Sequence, residues 1–345
     1  MNTIIGLLII AVGSMGQSSS YVPIRKVKSW SWESFWLVQG IFAWLVFPYL
    51  GALLAVPEGH TLAEILSSGG GSAAWKAVFY GVLWGVGGLT FGLSMRYLGI
   101  ALGQSISLGT CSAFGTIIPA LMVGTDLFSG EGLILLIGVS VAIAGIAVIG
   151  FAGSLRAKNM TEEQKKAAVK DFALGKGLLV ALLAGVMSAC FSLGLEAAEP
   201  MRLAAAEMGS DLLFAGLPAI LMVTFGGFLT NAAYCLQQNV KNKTLKEYFG
   251  VPGKVFVNNI LFTALAGILW YSQFFGLTLG KSFFTEGSIM MAFSWSILMS
   301  LNVTFSNVWG ILLKEWKGVK VSTIIVLAVG MAILIFSLIL PELLR

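Results

Sequence analysis

Hydrophobic positions along this chain come in long, unbroken blocks, not in the alternating or one-sided patterns of a water-soluble protein. Gly132–Gly153, Gly177–Leu195 and Val321–Leu340 each run without a charged residue. A helix rises about 1.5 Å per residue, so about 20 apolar residues cross the ~30 Å hydrocarbon core of a bilayer. Reading each block as a helix predicts ten spans, near residues 3–23, 34–54, 74–95, 98–122, 132–153, 177–197, 212–236, 255–277, 288–312 and 321–341. A membrane barrel would instead show segments of about ten residues with alternating polarity. The expected fold is therefore all-α and integral to the membrane, one transmembrane domain over residues 1–345.

The short gaps between blocks carry the charge, and its placement sets orientation. If the gap after the first span is cytoplasmic, that side collects Arg25, Lys26 and Lys28, Arg96, six basic residues from Arg156 to Lys176, the group Lys241–Lys254, and Lys314, Lys317 and Lys320. The opposite side keeps only Lys76, Arg202, Lys281 and Arg345 of the 21 lysines and arginines. Basic loops stay inside, so both termini are expected outside. The longest polar stretch, residues 154–176, divides the chain into five spans before it (1–153) and five after it (177–345). Five is odd, so the halves enter the membrane in opposite directions, as in inverted-repeat transporters. A sequence echo agrees: Gly81-Val82-Leu83-Trp84 precedes Phe91-Gly92-Leu93-Ser94-Met95 in the third span, and Gly267-Ile268-Leu269-Trp270 precedes Phe275-Gly276-Leu277-Thr278-Leu279 in the eighth. Gly81, Gly85, Gly88 and Gly92 form a stripe of the kind that lets membrane helices approach closely.

Only 11% of the residues are charged, against about 25% in soluble domains. The net charge of +5 lies scattered among the loops and forms no basic face, which argues against nucleic acid. The cysteines Cys111, Cys190 and Cys235 fall within apolar blocks without metal-type spacing. No cofactor or metal is expected.

Polar residues at membrane depth must meet partners, water or a substrate, because an unpaired polar group in hydrocarbon costs several kcal/mol. They cluster in the first span (Gln17, Ser18, Ser19, Ser20), the fourth (Gln104, Ser105, Ser107, Thr110), the eighth (Asn258, Asn259, Gln273) and the ninth (Ser294, Ser296, Ser300, Asn302). A lone Ser or Thr usually bonds back to its own helix, whereas Gln and Asn are harder to satisfy locally. Gln17, Gln104, Ser107, Gln273 and Asn302 are candidates to hold hydroxyls. Trp84, Trp270 and Trp295 are candidates to stack, and Trp84 lies about 15 Å into its helix, far from either headgroup belt. None of the 16 acids falls clearly at a midplane position, and the one histidine, His60, is in an outer loop. Those absences disfavour an intramembrane enzyme. The chemistry that remains suits a neutral, hydroxyl-bearing solute.

One segment is more specific. Tyr21-Val22-Pro23-Ile24-Arg25-Lys26-Val27-Lys28-Ser29-Trp30-Ser31-Trp32-Glu33 resembles the signature of the L-rhamnose–proton symporters, a branch of the drug/metabolite transporter superfamily. Met95-Arg96-Tyr97-Leu98-Gly99, Ala197-Ala198-Glu199-Pro200-Met201 and Leu313-Lys314-Glu315-Trp316 resemble further segments of that family. Arg25 stands where the family usually shows lysine, and Glu199 where lysine can occur. The resemblance implies a drug/metabolite transporter-like fold and inward transport of L-rhamnose or a similar monosaccharide, coupled to protons, across a bacterial inner membrane. Glu33, within the best-matched segment and near Arg96 and Lys28, is the first candidate to carry the proton, and Glu196 the second. Coupling to Na⁺ through neutral oxygens, a metabolite or drug exporter of the same superfamily, and a non-transporting sensor or scaffold are the alternative readings.

Overall fold

A computed structural model describes residues 2–68, 71–98, 100–158, 173–314 and 316–344, without the side chains of Arg96, Ile100, Ala101 and Leu102. Among the described residues there is no strand, and ten helices are long and apolar enough to cross a membrane. They are Asn2–Ile24, Trp32–Leu53, Ser72–Met95, Gly103–Met122, Gly130–Lys158, Leu174–Glu207, Leu217–Asn242, Gly253–Lys281, Ile289–Leu312 and Val321–Leu344. The tenth shows why: Val321, Ile325, Val329, Phe336 and Leu343 form an exposed apolar stripe that only lipid solvates well.

Several boundaries differ from the expected ones, each for a local reason. The seventh span begins at Leu217 because Asp211 closes a turn, its carboxylate accepting from the Leu213 N–H at 2.9 Å, and Pro218 then suits a first helical turn. It runs on to Asn242 and stops where Lys243 adopts φ 60°. The fifth span continues to Lys158, so the first residues of the expected linker are helical, and residues 159–172 lie outside the described ones. The sixth turns at Ala198 into a short helix, Glu199–Glu207, with Pro200 in its first turn.

Packing groups the spans into two compact units, each drawing on both halves of the chain. One comprises Val86–Leu193 with Phe283–Arg345 and the first residues. Within it the fifth span packs on the fourth and tenth, and the ninth contacts all three. Its core joins Ala142, Ile146, Ile149 and Ala152 to Val303, Leu327 and Leu334.

The other unit comprises Leu8–Gly85 and Gly194–Ser282, and in it the second span packs against the seventh and eighth. Gly81 and Gly226 let the third and seventh spans touch backbone to backbone: a Cβ on Gly226 would strike the Val78 carbonyl. Gly81 and Gly85 of the expected stripe face the seventh span, while Gly88 and Gly92 have open space. The second span is not a plain helix. Ile41–Val46 form a π-turn, at whose end Phe47 donates to the Phe42 carbonyl five residues back. Pro48 accounts for it, since proline has no N–H and its ring crowds the carbonyl four residues earlier, that of Trp44.

Candidate functional site

The unit holding the second, seventh and eighth spans contains a box of tryptophans. The π-turn carries Trp44 into its centre, edge-on to Trp84 at 6.0 Å and to Trp270 at 5.7 Å. Trp84 and Trp270 lie 5.8 Å apart at a tilt of 40°. Trp36 abuts Trp44 at 5.7 Å and stacks on Trp32 at 5.4 Å, and Phe274 closes the other side against Trp270 at 5.3 Å. Two glycines make room: the ring of Trp84 lies over Gly227, and the benzo edge of Trp44 over Gly40, where a Cβ would collide. Trp84 and Trp270 are half-buried and Trp44 is buried. Half-open indole faces beside hydrogen-bonding groups can take the C–H face of a sugar.

Of the residues expected to bind a solute, Trp84 and Trp270 are thus brought together, and Gln273 sits three residues beyond Trp270, buried, with its amide donating to the Trp270 carbonyl at 3.2 Å. Gln17 is half-buried in the first span, accepting from Ser18 at 3.3 Å. That span is held to the eighth by Ser272 Oγ, which donates to the Gly13 carbonyl at 2.9 Å.

Gln104, Ser107, Trp295 and Asn302 belong to the other unit. There Ser107 is buried, donating to the Ala181 carbonyl at 3.1 Å and sharing a 3.3 Å contact with Ser94 Oγ. Trp295 is also buried, stacked on Phe191 at 5.8 Å with Nε1 donating to the Cys111 carbonyl at 3.3 Å. Gln104 and Asn302 are half-buried.

The two candidate proton carriers lie in the tryptophan-bearing unit. Glu33 is buried in the first turn of the second span, where the helix dipole favours a negative charge. Its Oε1 accepts from Asn242 Nδ2 at 2.9 Å and from Thr244 Oγ1 at 3.0 Å. Neutral donors therefore hold it, while Lys28 is engaged through its backbone, giving and taking hydrogen bonds with the Asn259 amide at 3.0 and 2.7 Å. The side chain of Arg96 lies outside the described residues. Glu196 is half-buried in a charged group with Lys281 and Glu199, and Glu199 is bridged to Arg202 at 2.6 Å.

The sequence reading missed several residues here. Asn239 joins Ser34 and Thr244 at 2.9 and 2.8 Å and accepts from Tyr248 at 2.7 Å. Glu247 accepts from the Ser31 N–H at 2.6 Å and from Ser34 Oγ at 3.1 Å. Burial raises the Tyr248 phenol above its ordinary pKa, keeping its proton on the hydrogen bond. Trp36, Gln39 and Trp44 were also passed over, although Pro48 in an apolar block was a readable sign of local distortion. Among the described residues no three His, Cys, Asp or Glu side chains gather as a metal site would.

A family model described as L-rhamnose-proton symport protein (RhaT) matches residues 1–342. The chain is 33% identical over 345 residues to the L-rhamnose-proton symporter of Yersinia pestis (strain Pestoides F), covering 97% of this chain and 96% of that one. It is similar to the same extent to the symporter of Yersinia pseudotuberculosis serotype O:1b (strain IP 31758).

Proposed function

The chain belongs to the L-rhamnose-proton symport family, and we propose from that membership that this multi-pass membrane protein imports L-rhamnose together with protons, as a carrier and not an enzyme. The reading extends to architecture: two inverted five-helix repeats, 1–153 and 177–345, in a drug/metabolite transporter-like fold working by alternating access. It also places the protein in a bacterial inner membrane, with residues 154–176 cytoplasmic and both termini periplasmic.

One observation carries this reading furthest. Trp84 and Trp270, the two residues matched by the sequence echo between the third and eighth spans, are in ring contact at 5.8 Å. Equivalent residues of an inverted pair meet only near the pseudo-twofold axis, which in such carriers passes through the substrate site at mid-membrane. Both units also combine corresponding spans of the two halves: the fourth and fifth with the ninth and tenth, and the second with the seventh.

In this reading Trp84 and Trp270 stack on the sugar ring, with its apolar C–H surface against the indoles. Gln17 and Gln273 hold hydroxyls, and Gln104, Ser107, Trp295 and Asn302 are the further candidates to bind the solute. Glu33 carries the proton, with Glu196 second. The test is uptake of labelled L-rhamnose into proteoliposomes under an inward proton gradient. Accumulation above the external concentration, abolished by a protonophore, is expected. Accumulation that follows a Na⁺ gradient instead would overturn the proton coupling, and no uptake under either gradient would overturn the substrate.

A further inference from the structure

Buried polar groups in native proteins are nearly always hydrogen-bonded, and each exception calls for an explanation. On the second span there are two exceptions, one of them within the tryptophan box. Gln39 and Trp44 are 4% and 5% exposed, and neither Gln39 Oε1 nor Trp44 Nε1 has a hydrogen-bond partner among the described residues. Their neighbour Trp36 provides the contrast, since its Nε1 donates to Asn231 Oδ1 at 3.0 Å, and Asn231 in turn donates to the Gly227 carbonyl at 2.9 Å. The same helix thus satisfies one indole completely and leaves the next one open.

Packing fixes the pose of the Trp44 indole. Atoms Cε3 and Cζ3 of Trp44 lie over Gly40, the residue next to Gln39. The N–H is on the opposite edge of the indole from those atoms, and the ring as a whole is edge-on to Trp84 and Trp270. The π-turn sets this pose, and Pro48 sets the π-turn. Tyr271 Oη is also unpartnered, but it rests on Gly51, seven residues and about 10 Å along the span from Trp44, and so lies apart from this pair.

We infer that Gln39 and Trp44 are the polar half of the sugar site: Gln39 Oε1 accepts from one substrate hydroxyl and Trp44 Nε1–H donates to another, when the sugar enters between the surrounding rings. An orphaned acceptor and an orphaned donor on one span are the complement of a polyol, whose hydroxyls both give and take hydrogen bonds. A charged solute would instead need a countercharge there. A site built to bond hydroxyls also rejects analogues that lack them, because its own groups are then left unpaired. The inference rests on the reading of this chain as an L-rhamnose carrier, and it assigns specificity to two residues of the second span.

The experiment is calorimetric titration of the full-length purified protein with L-rhamnose and its monodeoxy analogues. Trp44→Phe, which keeps a ring and removes the N–H, and Gln39→Leu are each expected to weaken L-rhamnose binding about tenfold. For one monodeoxy analogue the Trp44→Phe penalty should vanish, and for a different one the Gln39→Leu penalty. Should Trp44→Phe fail to fold, benzothienylalanine at position 44, with sulfur in place of N–H and the same outline, makes the same test. Wild-type affinity in the variants, or a penalty equal across all analogues, overturns the inference while leaving the transport reading intact. A wild-type protein that binds no L-rhamnose removes both.

Discussion

At the Trp30–Ser34 end of the second span, a dense polar cluster closes on itself. Glu33, Ser34, Asn239, Asn242, Thr244, Glu247 and Tyr248 are joined by hydrogen bonds of 2.7–3.1 Å, and Trp30 Nε1 donates to the Glu247 carbonyl at 2.8 Å. About one and a half to three turns further on, Gln39 and Trp44 are buried like Glu33 and Ser34, but Gln39 Oε1 and Trp44 Nε1 are left open. The two regions share a helix and a packing partner, the seventh span. A closed network rigidifies and needs nothing from outside. An open one stores an unmet demand that a ligand can meet. Burial of polar groups therefore does not by itself mark a binding site; the inferred one is set apart by unfilled hydrogen-bonding capacity within a cluster of aromatic rings.

The contrast can be broken most sharply at Glu33. Glu33→Gln keeps an acceptor oxygen for Asn242 and Thr244 but removes the charge. If Glu33 carries the proton, accumulation of L-rhamnose in proteoliposomes should collapse to equilibration while exchange of labelled for unlabelled sugar continues. Undiminished accumulation would leave the closed cluster purely structural.

Next in size is Trp84→Ala, which removes one stacking face from the box. Its loss should weaken L-rhamnose affinity by about 2 kcal/mol, roughly 30-fold, measured by titration, with little change at the closed end.

Asn239→Ala tests the closed end itself. It breaks three hydrogen bonds and should cost about 2–3 kcal/mol of stability, read as a lowered unfolding temperature, while sugar affinity stays at the wild-type value. A matching loss of affinity would mean that the two regions are coupled.

The smallest expected effect is at an exposed counterpart of the closed cluster. His60 Nδ1 and Glu64 Oε2 are 2.9 Å apart at the start of a short helix, and that bond holds the Glu64 carboxyl below its ordinary pKa. A depressed carboxylate stabilises the fold above its unfolded pKa and loses that contribution as pH falls through the lowered folded value. Wild type should therefore exceed Glu64→Gln in unfolding temperature by a degree or less (about 1 °C) near neutrality, a gap that closes in acid below the usual carboxylate range.

The eighth span illustrates what could be read without coordinates and what could not. Its apolar block and its Trp270, matched to Trp84, were both visible. Its Asn258 and Asn259 stood out only as polar residues needing partners, water or a substrate, and the structure supplies partners: they fasten the backbone of Lys26 and Lys28, at 2.9 Å and at 2.7–3.0 Å. Asn239 and Asn242 fell beyond the expected end of the seventh span, so their hold on Ser34 and Glu33 had no visible cue.

Sequence alone determined the ten apolar crossings, the loops that carry the basic residues, and the family segment from Tyr21 to Glu33. These are properties of composition along one dimension, and lipid reads them directly. Tertiary structure alone decided that Trp44 meets both Trp84 and Trp270, that Gln39 Oε1 is left unpartnered, and that Ser107 and Trp295 are taken up by neighbours in the other unit. The reason is physical: in a membrane protein the lipid-facing and protein-facing sides of a helix are equally apolar, so periodicity does not reveal which side turns inward, and only packing settles it.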